Sequence, residues 1–230
     1  AYKLDNLYVD SLTISDEMSY SSTILNLLKK LLSKNSFTTL DIQGLILVNG
    51  PGSFTGLRVT NGLVHGLSEG LNCPVFCTTA FEIYAFAWHC QNENFCKANE
   101  SFIEVLIDAR LNEYYRGIVL CKKNSIQASD GENFSIIENL KGYGIKFSIS
   151  KLPSIVNTSL ITKMNSKNSQ MVLKCPTLNK FAAPKFSKIR YLFSDPIYSL
   201  SSWAILLFLH NKEFEIKKTA DIQPLYVRDN

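Results

Sequence analysis

The stretch Leu45-Ile46-Leu47-Val48-Asn49-Gly50-Pro51-Gly52-Ser53-Phe54-Thr55-Gly56-Leu57-Arg58 decides the fold. Four apolar residues stopped by Asn, Gly and Pro read as a short buried strand, Leu45 to Asn49. After the Gly-Pro-Gly turn a helix is expected from about Thr55 to Glu69, with Ser53 or Thr55 as its cap. Val75 to Thr78 reads as the next strand. Thr79 with Glu82 three residues on is a capping-box signature, and it starts a helix that reaches about His89. Strand, helix, strand and helix in succession predict an α/β layer architecture with at least partly parallel pairing.

Working outward, Ser22 to Leu32 sets Ile24, Leu25, Leu27, Leu28, Leu31 and Leu32 at helical spacing. They cover an arc of about 160°, wider than the roughly 100° that one core contact requires, so this helix is expected to touch more than one neighbour. Cys90 to Ser101 is polar and irregular and marks a boundary between an N-terminal α/β unit, 1–100, and a C-terminal α/β unit, 101–230. Beyond it, Phe102 to Ile107 and Tyr114 to Leu120 are strands of a hairpin, with Asp108 to Asn112 as the turn. Lys122 to Glu132 is a further turn region, and the pattern weakens from Tyr143. Val172 to Cys175 reads as a strand, Tyr198 to His210 as a strongly apolar helix, and Gln223 to Arg228 as extended chain.

The chain has 230 residues, 46% apolar and 19% charged, which supports a core without covalent staples and argues against disorder. A net charge of +4 excludes a uniformly basic coat. The charge is unevenly placed: 10 basic and 15 acidic residues up to Leu140, then 14 and 5 from Lys141 onward. That split predicts two surfaces facing different partners, and the basic half suits a polyanion such as RNA, with a solvated Lys-rich surface as the plain alternative. The longest apolar run, Trp203 to Leu209, has seven residues, where a membrane span needs about 20. Ala1 to Asp10 shows no secretory pattern, and a cytoplasmic protein is expected. Cys73, Cys77, Cys90, Cys96, Cys121 and Cys175 form no C-x-x-C pair, the three histidines lie far apart, and no metal is assigned.

Three groups of residues carry possible chemistry. Gly50, Gly52, Ser53, Thr55, Gly56 and Arg58 sit at a helix start, where backbone amides bind anions. The G-K-[ST] of a Walker loop is missing and the spacing is not the Rossmann fingerprint, so a structural tight turn stays open beside an anion site. Gly62, Gly66 and Gly70 repeat every four residues on one narrow helix face. Helix-interior glycine costs about 1 kcal/mol relative to alanine, which calls for a compensating close approach by another backbone, internal or from another protein. Asp108, Arg110 and Glu113 put two carboxylates and a guanidinium near one turn, readable as an acid/base set or as an ion-paired hairpin. The hydrolase motifs G-x-S-x-G and H-E-x-x-H are absent.

Taken in order and spacing, Gly50 to Arg58 (GPGSFTGLR), Asp108-Ala109-Arg110-Leu111-Asn112-Glu113 and Gln223-Pro224-Leu225-Tyr226-Val227-Arg228-Asp229 resemble the TsaB family, formerly YeaZ, over most of the chain. The resemblance implies a two-domain fold of the actin, sugar kinase and Hsp70 ATPase type, ribonuclease H-like, in degenerate and noncatalytic form. It implies a scaffold in the making of threonylcarbamoyladenosine beside the tRNA anticodon. Family members form a heterodimer with the catalytic subunit TsaD through N-terminal helices, the ATPase TsaE joins them, and tRNA is met through the assembled complex. A homodimer is the counterpart when the chain is alone.

By the same resemblance Ile24, Leu27, Leu28, Leu31, Gly62, Gly66 and Gly70 make the pairing face. The GPGSFTG loop shapes an interdomain cleft, and Asp108, Arg110 and Glu113 form an interdomain turn. No cofactor is implied for this chain. Family members open on an apolar strand ending Asp-Thr-Ser, which in active relatives contacts nucleotide phosphates, followed by a second strand. Here only Tyr8-Val9-Asp10-Ser11 is similar, about ten residues before the first helix, so the opening strands read as incomplete and ATP binding is not expected. Two rival readings are an ATP-dependent phosphotransferase of the same fold and a glycoprotease-like metallopeptidase. The missing Walker lysine, phosphate hairpin and metal ligands weigh against both.

Overall fold

Leu45–Val48 is apolar throughout because both of its faces are covered. In the computed structural model it forms β3, parallel to β4 (Val75–Thr78), with Leu45 opposite Val75 and Val48 opposite Thr78. Leu45 and Leu47 share a cluster with Val75, Cys77, Ile222 and Val64 of α2 (Phe54–Leu71). Ile46 and Val48, pointing the other way by the two-residue alternation of a strand, join the main core. Residues 2–4, 7–12, 20–91, 100–110, 113–123, 145–149, 153–157, 169–174, 189–191, 200–210, 216–217 and 222–227 are described by the structure.

The main core is a helical layer between two sheets. The helix α3 (Ala80–Gln91) buries Phe81, Ile83, Ala85, Phe86, Ala87 and Trp88, so nearly its whole circumference is covered. An all-round apolar helix is stable only when enclosed. Here α4 (Leu200–His210) flanks it, with Trp203 edge-on to Phe86 at 6.0 Å, and Phe208 of α4 meets Phe76 of β4 at 4.6 Å. The start of α3 is built as its sequence predicts: Glu82 Oε2 accepts from the Thr79 backbone N–H at 2.8 Å, and Thr79 Oγ1 accepts from the Glu82 N–H at 3.2 Å.

The second sheet has six strands. Its centre is the hairpin of β5 (Glu100–Arg110) and β6 (Glu113–Lys123), with β9 (Ser169–Lys174) parallel to β5 and β10 (Ile189–Tyr191) parallel to β9. Along the far edge of β6 lie β7 (Ile145–Ile149) and β8 (Ser154–Asn157), both antiparallel to it. Ile103, Val105, Val119 and Cys121 face the helical layer. Gly117 lets β6 approach it closely: a Cβ there would lie 2.5 Å from the ring of Phe81.

One reading of this hairpin is corrected. Asp108, Arg110 and Glu113 are not turn residues, because β5 continues to Arg110 and β6 begins at Glu113, with Arg110 opposite Glu113. A bulge between Asp108 and Arg110 inserts Ala109 and breaks the alternation that marks a strand in sequence. Residues 111–112 of the expected turn lie outside the described residues, as do 92–99 of the irregular Cys90–Ser101 stretch and 124–132 of the later turn region. The hairpin also holds an ion pair that the sequence reading missed. Glu104, its side chain 1% exposed, accepts from Arg116 Nε across the two strands.

At the N-terminus β1 (Tyr2–Leu4) and β2 (Leu7–Val9) form an antiparallel pair separate from the other sheets. The stretch Tyr8 to Ser11 thus closes one strand of a small hairpin, and Asp10 just beyond it meets the C-terminal end of α1 (Tyr20–Lys34). Asp10 Oδ2 lies 2.8 Å from Lys34 Nζ and accepts from Asn35 Nδ2 at 3.1 Å. These bonds, that to Lys34 foremost, hold the Asp10 carboxyl well below the usual carboxylate range.

The packing does not follow chain order. α3 packs on the second sheet, while β11 (Ile216–Lys217) returns to pair antiparallel with β4 and makes the first sheet three-stranded. Residues 222–227 then run without regular structure across the end of β3.

Candidate functional site

The loop after β3 is held from both sides. Asn49 donates its backbone N–H to Thr78 O at 3.0 Å and accepts from Leu225 N at 2.8 Å, while its Nδ2 donates to Gln223 O at 3.3 Å. Gly50 follows at φ +132°, a conformation side chains rarely adopt, and a Cβ there would stand 2.9 Å from Leu225 O. Ala80 N donates to Gly50 O at 2.8 Å, joining the loop to the start of α3. Ser53, not Thr55, is the cap: its Oγ accepts from Gly56 N at 3.5 Å. Thr55 and Arg58 lie exposed on the first turns of α2.

Arg58 is engaged by aromatic groups. Its guanidinium carbon sits 3.9 Å from the centroid of the Phe54 ring, and its Nε donates to Tyr226 Oη at 3.3 Å. The Phe54 and Tyr226 centroids are 5.1 Å apart with planes tilted by 38°. Loop residues 51–54, Tyr115 of β6 and residues 225–227 together line a cleft of about 220 Å³.

Of the loop residues singled out from sequence, Gly52 and Ser53 line the cleft, Gly50 is buried behind it, and Thr55, Gly56 and Arg58 are not part of its lining. Phe54, Tyr115 and Tyr226 were not singled out. Tyr226 lies in a quoted motif, but only the tertiary fold brings Tyr115 to the loop. Among the described residues no three His, Cys, Asp or Glu side chains gather as a metal-sized group.

The second candidate surface lies on the far side of α2. Leu57, Asn61, Val64 and Ser68 are its buried residues. Gly62, Gly66 and Gly70 are centred about 170° away at 100° per residue. All three are exposed, and a Cβ at any of them would meet no described atom within 4 Å. The close approach within the chain that the spacing left open is therefore not made among the described residues. On α1, Ile24, Leu27, Leu28 and Leu31 are only half-buried and Leu25 is 40% exposed. None of the described side chains of α1 is fully buried.

Comparison with known proteins bears on the family and the fold. A family model described as TsaD, tRNA N6-adenosine threonylcarbamoyltransferase, matches residues 16–214. The tRNA threonylcarbamoyladenosine biosynthesis protein TsaB of Haemophilus influenzae is 31% identical over 136 residues, 58% of this chain and 52% of that protein. The protein of the same name from Buchnera aphidicola of Schizaphis graminum is 28% identical over 138 residues, 60% of this chain and 61% of its own. The chain belongs to the TsaB/YeaZ family.

It spans about half to three-fifths of the length of these curated TsaB relatives. Two solved Pseudomonas aeruginosa structures share the fold at 16% identity. One, described as an uncharacterized protein with similarity to peptidase YEAZ, has a TM-score of 0.58, covering 92% of this chain and 85% of its own. The other, YeaZ, has a TM-score of 0.54, covering 90% of this chain and 83% of its own. The TsaB/YeaZ fold of this chain is accordingly α/β, of the actin, sugar kinase and Hsp70 ATPase type. Among the described residues no helix is long and apolar enough to cross a membrane.

Proposed function

We propose that this chain is a noncatalytic subunit in the formation of threonylcarbamoyladenosine beside the tRNA anticodon. It pairs with a TsaD-type subunit through the exposed face of α1 and α2, and the pair is joined by a TsaE-type ATPase. Alone, the same face pairs two copies of the chain. The observation that carries this reading is the side of α2 on which the glycines lie. They point away from the protein's own core, where their cost to the helix is offset only by a second backbone approaching from outside. The incompletely covered apolar arc of α1 supports the same pairing.

A noncatalytic role is supported by what the polar groups already do. Asp10, in the stretch similar to the family's Asp-Thr-Ser strand, is taken by Lys34 and Asn35. Arg58 of the loop is stacked on Phe54 and bonded to Tyr226, so it is held at the rim of an aromatic cleft. The test is reconstitution with TsaD, TsaE, tRNA and a supply of threonylcarbamoyl adenylate. Modified tRNA is expected only when this chain is present. Equal product without it would overturn the proposal.

A further inference from the structure

The aromatic cleft has a composition that the pairing role does not use. Phe54 and Tyr226 remain 38% and 44% exposed, although both are large rings, and their planes are tilted by 38° to each other. Exposed aromatic pairs of this kind, held by backbone bonds on two sides, are preorganised stacking surfaces. Tyr115 comes from a third segment, so the wall is fixed by the fold and not by one loop. Among the described residues Arg58 spends its Nε on Tyr226 and is exposed, which leaves the outer donors of its planar fork for an anion. Among the described residues no carboxylate lines the cleft. At about 220 Å³ the cleft falls below the roughly 300 Å³ where sites that enclose a whole small molecule begin. It suits one flat ring inserted from a larger ligand that stays outside.

We propose that this cleft takes one unpaired base of single-stranded RNA, stacked on Tyr226 and Phe54, with Arg58 meeting the adjoining phosphate. The choice of RNA over a free nucleotide rests on the tRNA-linked role proposed above. The stacking chemistry is the same for both sources, and the test separates them. Stacking on aromatic rings and on the guanidinium plane is how unpaired bases are commonly held, because every base offers a π-face. Binding at this cleft would give the chain its own contact with RNA, apart from any made by a partner subunit.

The test uses the full chain and a short unpaired oligoribonucleotide carrying 2-aminopurine, titrated to millimolar concentration at low salt. Stacking quenches the probe, so a saturable quench is expected with the single strand and not with the same sequence in a duplex. Tyr226→Leu and Phe54→Leu should each weaken binding about tenfold, in line with the loss of one stacking partner. Tyr226→Phe keeps the ring and should retain the quench, and Arg58→Gln should flatten the salt dependence.

The proposal is overturned if no quench appears at millimolar RNA, or if Tyr226→Leu and Phe54→Leu leave it unchanged. AMP displacing the oligonucleotide at equal concentration would make this a free-nucleotide site. Variants that lose a TsaD-type partner while binding RNA normally would make it a protein contact. Either result sinks the RNA assignment. No modified tRNA is measured, so a failed reconstitution and a failed titration are separate results.

Discussion

Gly50 and Leu225 touch so closely that neither can change independently: a Cβ on Gly50 would lie 2.9 Å from Leu225 O and 3.3 Å from Leu225 Cβ. The same contact carries the hydrogen bond from Leu225 N to Asn49 O, so the C-terminal segment and the loop are one structural unit. Gly50→Ala is therefore expected to lose about 1–3 kcal/mol, the usual range for a side chain forced into a packed site, and adds the strain of a positive φ. Gly52→Ala, where the nearest atom to a new Cβ is 3.8 Å away, is expected to be nearly neutral. Chemical denaturation of the two variants, with limited proteolysis around residues 218–227, checks the contrast. Equal stabilities would show that the segment does not bind the loop.

Gly117 makes the same argument inside the main core. Phe81 is fully buried, and three of its ring atoms would lie within 2.9 Å of a Cβ at residue 117. Because the ring is fully buried and collides at its Cγ as well as both Cδ atoms, Gly117→Ala should destabilise by about 1–3 kcal/mol. Phe81→Leu alone should also cost stability, but the double variant should cost less than the two single losses combined, because the smaller side chain relieves the collision. Strict additivity in a denaturation cycle would rule out this packing.

These two glycines mark the line between what sequence shows and what it hides. Local chemistry was readable: the apolar run of β3, the Ser53 cap and the reciprocal Thr79–Glu82 bonds each depend on residues a few positions apart. The α1 and α2 periodicity was readable for the same reason, although which face of α2 points outward was not. Contacts set by tertiary packing were hidden. Nothing near Gly117 announces Phe81, and nothing near Tyr115 announces Phe54 or Tyr226. Glu104 sits in a strand whose pattern marks it as an exposed charge, yet Arg116 two residues along on the partner strand lets it be buried. The bulge at Ala109 disguised strand as turn.

The Asp10 contact predicts how stability depends on acid. Its carboxyl is held below its ordinary value of 3.8, chiefly by Lys34 and then by Asn35, so the unfolded chain takes up a proton before the folded one does. The contribution of this contact is thus fully present above about pH 4 and is lost progressively as pH falls further, through the lowered folded-state value. Asp10→Asn removes it. The stability difference between the native chain and this variant should be constant from pH 5 to 7 and shrink on acidification. A difference that grows with acid would mean that Asp10 is not paired in the folded state.

Gly66 separates a helix built for its own core from one built for a partner. Because Gly66 is exposed in the single chain and no described atom would lie within 4 Å of a Cβ there, Gly66→Ala should stabilise the chain by about 0.5–1 kcal/mol through helix propensity alone, measured at a dilution where two copies do not pair. Gly66→Leu should leave the chain folded as well, since the added side chain points to solvent. Pairing should respond in the opposite sense. Two helices in contact across small residues cannot accept a branched side chain between their backbones, so Gly66→Leu should abolish co-purification with a TsaD-type subunit. Leu28→Ala on α1 should weaken pairing by a smaller amount, because it removes apolar area without blocking approach. Thermal denaturation of the free variants and pull-down of the pair give both readouts. A Gly66→Leu chain that still pairs would place the partner elsewhere, and a Gly66→Ala chain that is less stable would mean that this face is already covered.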